Sequence, residues 1–164
     1  MFSHHALFSL TDERNFIIAY SGGLDSHVLL HCLFELRKKN SQINIRAIHV
    51  NHQLNPLSDH WANHCQAICD ELWIPMVVEK ITIHLKPGDS LEENARQARY
   101  TILEKYIDKT SVLLTAHHLN DQAETFLLQA LRGAGPKGLS SMPVKKKLGR
   151  GFLIRPLSNY SREI

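Results

Sequence analysis

One stretch of sequence decides the fold: residues 16–26, Phe16-Ile17-Ile18-Ala19-Tyr20-Ser21-Gly22-Gly23-Leu24-Asp25-Ser26. An apolar run ends in a Ser-Gly-Gly turn, and a segment of helical period follows, so a strand leads through the turn into a helix. At such a junction free backbone N–H groups and the positive end of the helix dipole converge, which favours phosphate-like anions. The paired glycines permit positive φ and leave no Cβ between main chain and ligand. The stretch therefore predicts a nucleotide site.

The glycine turn, residues 21–26, matches neither of the two common phosphate-binding loops. It lacks the Gly-Lys-Ser/Thr of a Walker A loop and the three glycines of G-x-G-x-x-G. With no loop lysine, the turn is better suited to gripping pyrophosphate as a leaving group. Ser21 and Ser26 supply hydroxyls, and Asp25 is placed to hold a cation that accompanies the phosphates. The alternative is an ordinary turn whose glycines and serines serve geometry and capping.

Composition places the chain in the ordinary globular class. The 164 residues suit one domain, and 43% are hydrophobic and 21% charged, which is typical of a packed protein. No stretch approaches the roughly 20 apolar residues of a membrane span, and no secretory signal is visible, so a cytoplasmic location is expected. Cys32, Cys65 and Cys69 form no C-x-x-C pair, which argues against a disulfide framework or a zinc ribbon.

Apolar runs alternate with helical periods, which predicts an α/β fold: an open, mostly parallel sheet with helices on both faces. The predicted strands are 15–20, 43–50, 75–82 and 111–116, and the predicted helices are 26–39, 58–72, 91–108 and 119–132. Beyond residue 132 the pattern loosens into a long loop, followed by a strand-like run at 152–154. The chain reads as one domain over residues 1–164 that is incomplete at its C-terminal end.

Polar residues gather at three strand ends. In open parallel sheets, ligands bind beyond the carboxyl ends of the strands. The glycine turn follows the first predicted strand. The second strand ends in His49-Val50-Asn51-His52, and residues 116–124 follow the fourth strand. His49, His52, His117 and His118 are candidates for proton transfer or nucleobase contact, because histidine suits either role near neutral pH. We assign His49 and His117 to the nucleotide site.

Two acidic residues lie near the start of the predicted helix that follows the fourth strand. Asp121 and Glu124 are three residues apart, so both carboxylates share one helix face near its N-terminus. With Asp25 they form a candidate set for Mg²⁺, which takes a few carboxylates and keeps several waters. The alternative is a helix cap with acids in its first turn.

Basic residues form two groups. Arg96 and Arg99, three apart on one predicted helix, are spaced to brace the α-phosphate or a developing negative charge. Spacing alone favours the alternative of exposed Glu–Arg pairs. From residue 132 to residue 155 the chain carries seven basic and no acidic residues, a candidate contact for an RNA backbone or else a solvated loop. The candidate RNA contacts are Arg132, Gly133, Lys137, Lys145 and Lys146.

The glycine turn resembles the PP-loop of the N-type ATP pyrophosphatases, whose fold is adenine nucleotide alpha hydrolase-like. Further blocks resemble the tRNA(Ile)-lysidine synthetases: Ile48-His49-Val50-Asn51-His52, residues 92–100 (EENARQARY), residues 115–125 (TAHHLNDQAET), residues 132–139 (RGAGPKGL) and Ile154-Arg155-Pro156-Leu157. The resemblance runs from about residue 15 to the end.

The resemblance implies a ligation on the wobble cytidine, position 34, of the CAU-anticodon isoleucine tRNA. ATP adenylates the C2 oxygen and releases pyrophosphate, and the ε-amine of free L-lysine then displaces AMP. The product, lysidine, changes decoding from AUG to AUA. ATP and Mg²⁺ are the implied cofactors, and a homodimer is among the states allowed.

The resemblance also implies roles for residues. The glycine turn, Ser21, Gly22, Gly23, Leu24, Asp25 and Ser26, would bind the leaving pyrophosphate. Asp25, Asp121 and Glu124 would handle Mg²⁺ and the lysine amine, and Arg96 or Arg99 would stabilise the adenylated intermediate. Position 120 is asparagine where the family commonly has a second aspartate. The family carries further C-terminal domains that bind tRNA, and we expect this chain to end before them.

Two other readings stay open at this stage. A PP-loop tRNA thiolase would normally use cysteines in C-x-x-C form, and none occurs here. A catalytically silent nucleotide- or RNA-binding module would keep the turn without the chemistry.

Overall fold

A computed structural model of the chain describes residues 4–83, 86, 88–140 and 142–162. The elements in chain order are α1 (His4–Phe8), β1 (Asn15–Ala19), α2 (Leu24–Lys39), β2 (Asn44–Asn51), α3 (Ser58–Glu71), β3 (Met76–Lys80), α4 (Leu91–Glu104), β4 (Ser111–Leu114), α5 (Leu119–Leu131), α6 (Pro136–Leu139), β5 (Lys145–Leu148) and β6 (Gly151–Ile154).

The strands form one six-stranded sheet in the order β3-β2-β1-β4-β6-β5. All neighbours are parallel except β5, which runs antiparallel to β6 at the edge. The central strand β4 is buried along its whole length, as expected of a parallel strand covered on both faces. Strand order reverses between β1 and β4, which creates a crevice at their carboxyl ends.

Two hydrophobic cores sandwich the sheet. On one face α2 and α3 pack over β1, β2 and β4. The buried leucines of α2 lie on one side of the helix: Leu29, Leu30, Leu33 and Leu36. On the other face α4 supplies Leu103, which packs with Ile17, Ile48 and Leu113. The predicted open, mostly parallel sheet with helices on both faces is therefore confirmed.

The predicted long loop after residue 132 is wrong. That segment contains the short helix α6 and the strand β5, which pairs with β6 in an antiparallel hairpin. Three of the four β5 residues are lysines, so the strand lacks the apolar signal on which the prediction depended. Exposed lysines are a common way to protect a sheet edge from pairing with other chains.

Helix α5 differs from the other long helices because none of its side chains is buried. Its large apolar residues are exposed: Leu119, Phe126, Leu127, Leu128 and Leu131. Across the described part of the chain, no helix has the length and apolar character needed to span a membrane.

Candidate functional site

The glycine turn lies between β1 and α2, at the crevice. Gly22 has φ +82°, and a Cβ there would lie 2.6 Å from the Sγ of Cys65 on α3. Glycine is needed at this position both for its backbone angle and for the close approach of α3. Gly23 then precedes Leu24, the first residue of α2, and no side chain caps this helix end. The open helix start is a ready site for an anion.

The two serines of the turn hold each other. Their Oγ atoms are 3.0 Å apart, and the hydroxyl of Ser26 donates to the carbonyl of Gly23 at 2.9 Å. The amide of Gly23 donates to the Oγ of Ser21 at 3.3 Å. These bonds define the shape of the turn, so the hydroxyls stabilise the anion site as well as facing it.

His118 lies between the carboxylates of Asp25 and Asp121. Its Nε2 is 3.7 Å from Oδ2 of Asp25, and its Nδ1 is 3.5 Å from Oδ2 of Asp121. The same Asp121 oxygen accepts the backbone N–H of His118 at 2.7 Å, which ties the carboxylate to the start of α5. The guanidinium of Arg162 lies 3.6 Å from the other oxygen of Asp25. The structure thus brings together two of the three predicted acids around His118, which the sequence offered as a candidate for proton transfer or nucleobase contact.

Glu124, the third predicted acid, does not line the cavity that Asp25 and Asp121 share. It lines a shallow concavity on α5 together with Leu119, Ala123 and Leu127. Asn120 accepts the backbone N–H of Arg162 through its side-chain oxygen at 3.1 Å, so that oxygen is already engaged. Among the described residues, no three His, Cys, Asp or Glu side chains are grouped so as to hold a metal ion by themselves.

His49 and His117 both reach the cavity, and both are held by hydrogen bonds. Nδ1 of His49 lies 2.9 Å from the carbonyl of Tyr20, so it carries the proton and Nε2 is left as an acceptor. Burial lowers the pKa of His49. Burial, reinforced by the nearby Arg155, lowers the pKa of His117 to about 4, and its Nδ1 lies 2.9 Å from the hydroxyl of Thr115. Both imidazoles are neutral at pH 7.

Arg155 is a buried cation beside the site. The sequence alone gave this arginine no role. Its Nη1 donates to the carbonyl of Pro143 at 2.6 Å, while its Nε is buried without a hydrogen-bond partner among the described residues. Burial lowers its pKa, and Tyr100 partly offsets that effect. Its position directly after β6, whose carboxyl end adjoins that of β4, is the signal that could have identified it.

The two predicted arginines of α4 lie near the same edge. Arg99 lines the cavity, where its Nε lies 3.4 Å from Nε2 of His52. Arg96 stacks over the ring of Tyr100, with its guanidinium carbon 5.4 Å from the ring centroid. The structure thus places Arg99 at the site and Arg96 one turn away.

These elements enclose an open cavity of about 450 Å³. It runs from the glycine turn across the carboxyl end of β2 to the start of α3, and its volume is in the range of small-ligand pockets. The lining includes Ser21, Asp25, His49, Arg99, His117 and Asp121.

The candidate RNA-binding residues lie just after the C-terminal end of α5, on α6 and on the edge strand β5. Arg132 and Gly133 follow α5 and are exposed. Lys145 is partly engaged within the chain, because its Nζ donates to the carbonyl of Leu10 and lies 4.6 Å from the ring centroid of Phe152. Lys146 is exposed on β5, and the side chain of Lys137 lies outside the described residues.

The three cysteines are unsuited to reactive chemistry. Cys65 and Cys69 are buried on α3, and Cys32 on α2 is partly buried. Burial raises the pKa of all three thiols, that of Cys69 to about 12. They are therefore protonated at neutral pH and pack as small apolar side chains.

The fold and the cavity define the class: an α/β protein whose glycine turn and cavity lie at the switch point of its sheet. The family model described as a PP-loop domain matches residues 3–164, so the chain belongs to the PP-loop domain family.

Curated relatives are similar over most of the chain. A tRNA(Ile)-lysidine synthase of Coxiella burnetii is 55% identical over 155 residues, covering 94% of this chain and 34% of that protein. One of Pseudomonas fluorescens is 49% identical over 145 residues, covering 88% of this chain and 32% of that protein. The chain thus spans about one third of the length of these relatives.

A solved structure shares the fold. The U34-tRNA thiolase NcsA from Methanococcus maripaludis, determined with its 4Fe-4S cluster, has a TM-score of 0.74 and 22% sequence identity. The match covers 94% of this chain and 55% of the thiolase chain. At this identity the likeness concerns the fold.

Proposed function

We propose that the chain is the catalytic domain of a tRNA(Ile)-lysidine synthase. In this reaction ATP activates C2 of the cytidine at position 34 of the CAU-anticodon isoleucine tRNA, and free lysine then displaces AMP. The observation that carries the proposal is the meeting of Asp25 and Asp121 at His118, beside the uncapped start of α2. The 55% identity with a curated lysidine synthase supports it.

The glycine turn would hold the β- and γ-phosphates of ATP. Backbone N–H groups at the start of α2 point at the anion, and the helix dipole stabilises the charge that grows as pyrophosphate leaves. Because the turn is already shaped by the Ser21–Ser26 contact, little reorganisation is needed when the charge develops. This arrangement favours cleavage between the α- and β-phosphates.

The acidic pair fits Mg²⁺ through the chemistry of its donors. Magnesium in nucleotide sites is held by one or two carboxylates together with substrate phosphates and water. Asp25 and Asp121 supply those carboxylates at the edge of the cavity, each about one-third exposed. When bound, the ion would neutralise charge on the phosphates.

The remaining residues would orient and stabilise. Arg99 lines the cavity, which supports a role for it, with Arg96 one turn away, in stabilising the adenylated intermediate. His117 is neutral at pH 7 and would serve as a hydrogen-bond partner. Asp121 or Glu124 would receive the ammonium group of lysine and take up its proton. Arg132, Gly133, Lys137, Lys145 and Lys146 are proposed to contact the tRNA backbone. The homodimer stays a prediction.

The test uses the full-length protein that contains this chain, with Mg-ATP, labelled lysine and an unmodified CAU-anticodon isoleucine tRNA transcript. Mass analysis of position 34 should show a gain equal to lysine minus water. Asp25→Asn and Asp121→Asn should each lower turnover by roughly 100-fold or more, because each removes a carboxylate that would hold the Mg²⁺ ion against the phosphates. Glu35→Gln, an exposed acid on the same helix as Asp25, is the matched control and should leave turnover unchanged.

The outcomes separate the competing functions. Formation of AMP and pyrophosphate without a mass gain would keep the PP-loop chemistry and overturn the lysine substrate. No cleavage of ATP would favour a silent binding module. A thiolase that depends on reactive cysteines is disfavoured by Cys65 and Cys69, whose burial raises their thiol pKa values.

A further inference from the structure

Trp61 is an exposed aromatic side chain in the lining of the cavity. It lies in the first turn of α3, is 48% exposed, and shares the lining with Ser21, Asp25 and His49. The mechanism proposed above does not use it. Trp61 and Leu54 together leave exposed apolar surface in the lining of one cavity, and apolar surface grouped in this way is typical of a ligand-binding groove.

The position of Trp61 relative to the glycine turn is set by helix geometry. Trp61 and Cys65 are four residues apart and therefore share one face of α3, about one turn from each other. Cys65 is the residue against which Gly22 packs, so Trp61 stands one helical turn beyond the anion site.

The start of α3 is firmly held. Asp59 accepts a hydrogen bond from the side-chain amide of Asn51 at 2.8 Å and forms an ion pair with Lys80 at 2.9 Å. Ala62, the neighbour of Trp61, is buried in the helix–sheet interface. The helix therefore cannot turn Trp61 into the core, and the ring stays at the cavity.

The surroundings of Trp61 match a flat, apolar ligand with polar edges. Leu54, which is 54% exposed, adds apolar surface, and Asn55 and Ser58 add hydrogen-bonding groups around it. A nucleobase has this combination, and bases stack on aromatic side chains in a way that tolerates any base. The anion site at the other end of the same cavity suits the phosphates of a nucleotide.

We infer that Trp61, flanked by Leu54, is the platform on which a nucleobase stacks when the site is filled. The inference rests on the proposed function, because that function brings two nucleobases to the cavity. One is the adenine of ATP, and the other is the unpaired target base of the RNA, which must leave its stack to react. The shared chemistry is a nucleobase, and the experiment distinguishes the two sources.

The chain has two tryptophans, so Trp73→Phe leaves Trp61 as the single tryptophan fluorophore. Trp73 is 86% exposed and lies just after the far end of α3. The full chain with this substitution is titrated with ATP, with inorganic tripolyphosphate and with an anticodon stem-loop RNA. Quenching by ATP but not by tripolyphosphate identifies adenine as the stacked base. Quenching by the RNA alone identifies the RNA base, and either result supports the inference.

Binding measured by equilibrium dialysis provides the second readout. Trp61→Ala should weaken the affinity for the ligand that quenches by roughly 5- to 100-fold. Trp61→Phe should keep that affinity within about 3-fold of the unsubstituted chain, because an aromatic ring remains. Trp73→Ala is the matched control and should not change affinity. Tripolyphosphate affinity should be equal in all variants, which a general disturbance of the fold would not allow.

Two results would overturn the inference. One is equal quenching by ATP and tripolyphosphate with no effect of the RNA, and the other is no quenching by either base-containing ligand. Lysidine formation by full-length Trp61→Ala with unchanged KM for ATP and tRNA would overturn it while leaving the proposed function standing. Absence of lysidine with base-dependent quenching intact would overturn the proposed function and keep the stacking platform.

Discussion

Helices α2 and α5 each bring one carboxylate to the same cavity, and they are held in place in opposite ways. Asp25 lies in the first turn of α2, which buries four leucines against the sheet. Asp121 lies in the first turn of α5, which has no buried residue. One half of the acidic pair is placed by the hydrophobic core and the other by polar contacts.

The polar contacts of α5 are concentrated near its start. The amide of Leu119 donates to the carbonyl of Tyr160, and Asn120 accepts from the amide of Arg162. Gln122 exchanges two hydrogen bonds with the backbone of Met142, at 2.7 and 2.9 Å. The difference between the two helices teaches that the two halves of the acidic pair are held with unequal stability, since α5 can shift at little cost in buried apolar surface.

The largest expected effect tests the division of stability. Leu30→Ala on α2 should lower the free energy of unfolding by about 2–5 kcal/mol, because Leu30 is fully buried and its loss leaves a cavity. Leu128→Ala on α5 removes the same atoms from an exposed position and should change the free energy of unfolding by less than about 0.5 kcal/mol. Urea unfolding followed by circular dichroism measures both. Equal destabilisation would show that α5 is packed more tightly than its exposure indicates.

The next largest effect concerns His118, which lies between Asp25 of α2 and Asp121 of α5. His118→Asn should lower turnover of the full-length protein by roughly 10- to 100-fold, because residues that orient the groups around a metal site typically matter to that extent. The loss should be in kcat, and Mg²⁺ should be required at higher concentration. A loss confined to stability, with a normal kcat and an unchanged Mg²⁺ dependence, would show that His118 only fills space.

Gly22 offers a smaller test on the α2 side. Gly22→Ala should cost about 1–3 kcal/mol of stability, from its positive φ and from the 2.6 Å approach to Cys65. Gly133, which follows α5, also has positive φ, but nothing lies within 4 Å of its Cβ position, so Gly133→Ala reports backbone strain alone. Gly22→Ala should cost less in a Cys65→Ala background, as a double-mutant cycle measures. Strictly additive costs would contradict the contact.

The α2 side of the comparison could be predicted from the sequence, and much of the α5 side could not. An apolar run, two glycines and a periodic helix are local signals, so β1, the glycine turn and α2 follow from neighbouring residues. Glu124 shares a helix face with Asp121 by spacing, yet it lines a different concavity, because how α5 tilts depends on contacts with residues far along the chain. The position of His118 between two carboxylates and that of Arg155 beside the site could not be predicted for the same reason, since both depend on which strands are neighbours.

The smallest expected effect is a pH dependence from the segment that joins β4 to α5. His117 has its pKa lowered from the ordinary 6.5 to about 4, chiefly by burial and next by Arg155, so the folded protein binds its proton less readily than the unfolded chain. The stabilising contribution is fully present above pH 6.5 and is lost as pH falls toward 4.

His117→Gln should remove part of that dependence, making the fall in unfolding free energy between pH 7 and pH 5 shallower by roughly 1 kcal/mol. Urea unfolding at a series of pH values measures the slope. Substitution of the exposed His60 by glutamine controls for loss of a histidine and should leave the slope unchanged. An unchanged slope in His117→Gln would mean that His117 is open to solvent in the folded protein. The segment that joins β4 to α5 would then be loosely held as well as α5 itself. The difference in stability between the α2 side and the α5 side of the site would be larger than the contacts indicate.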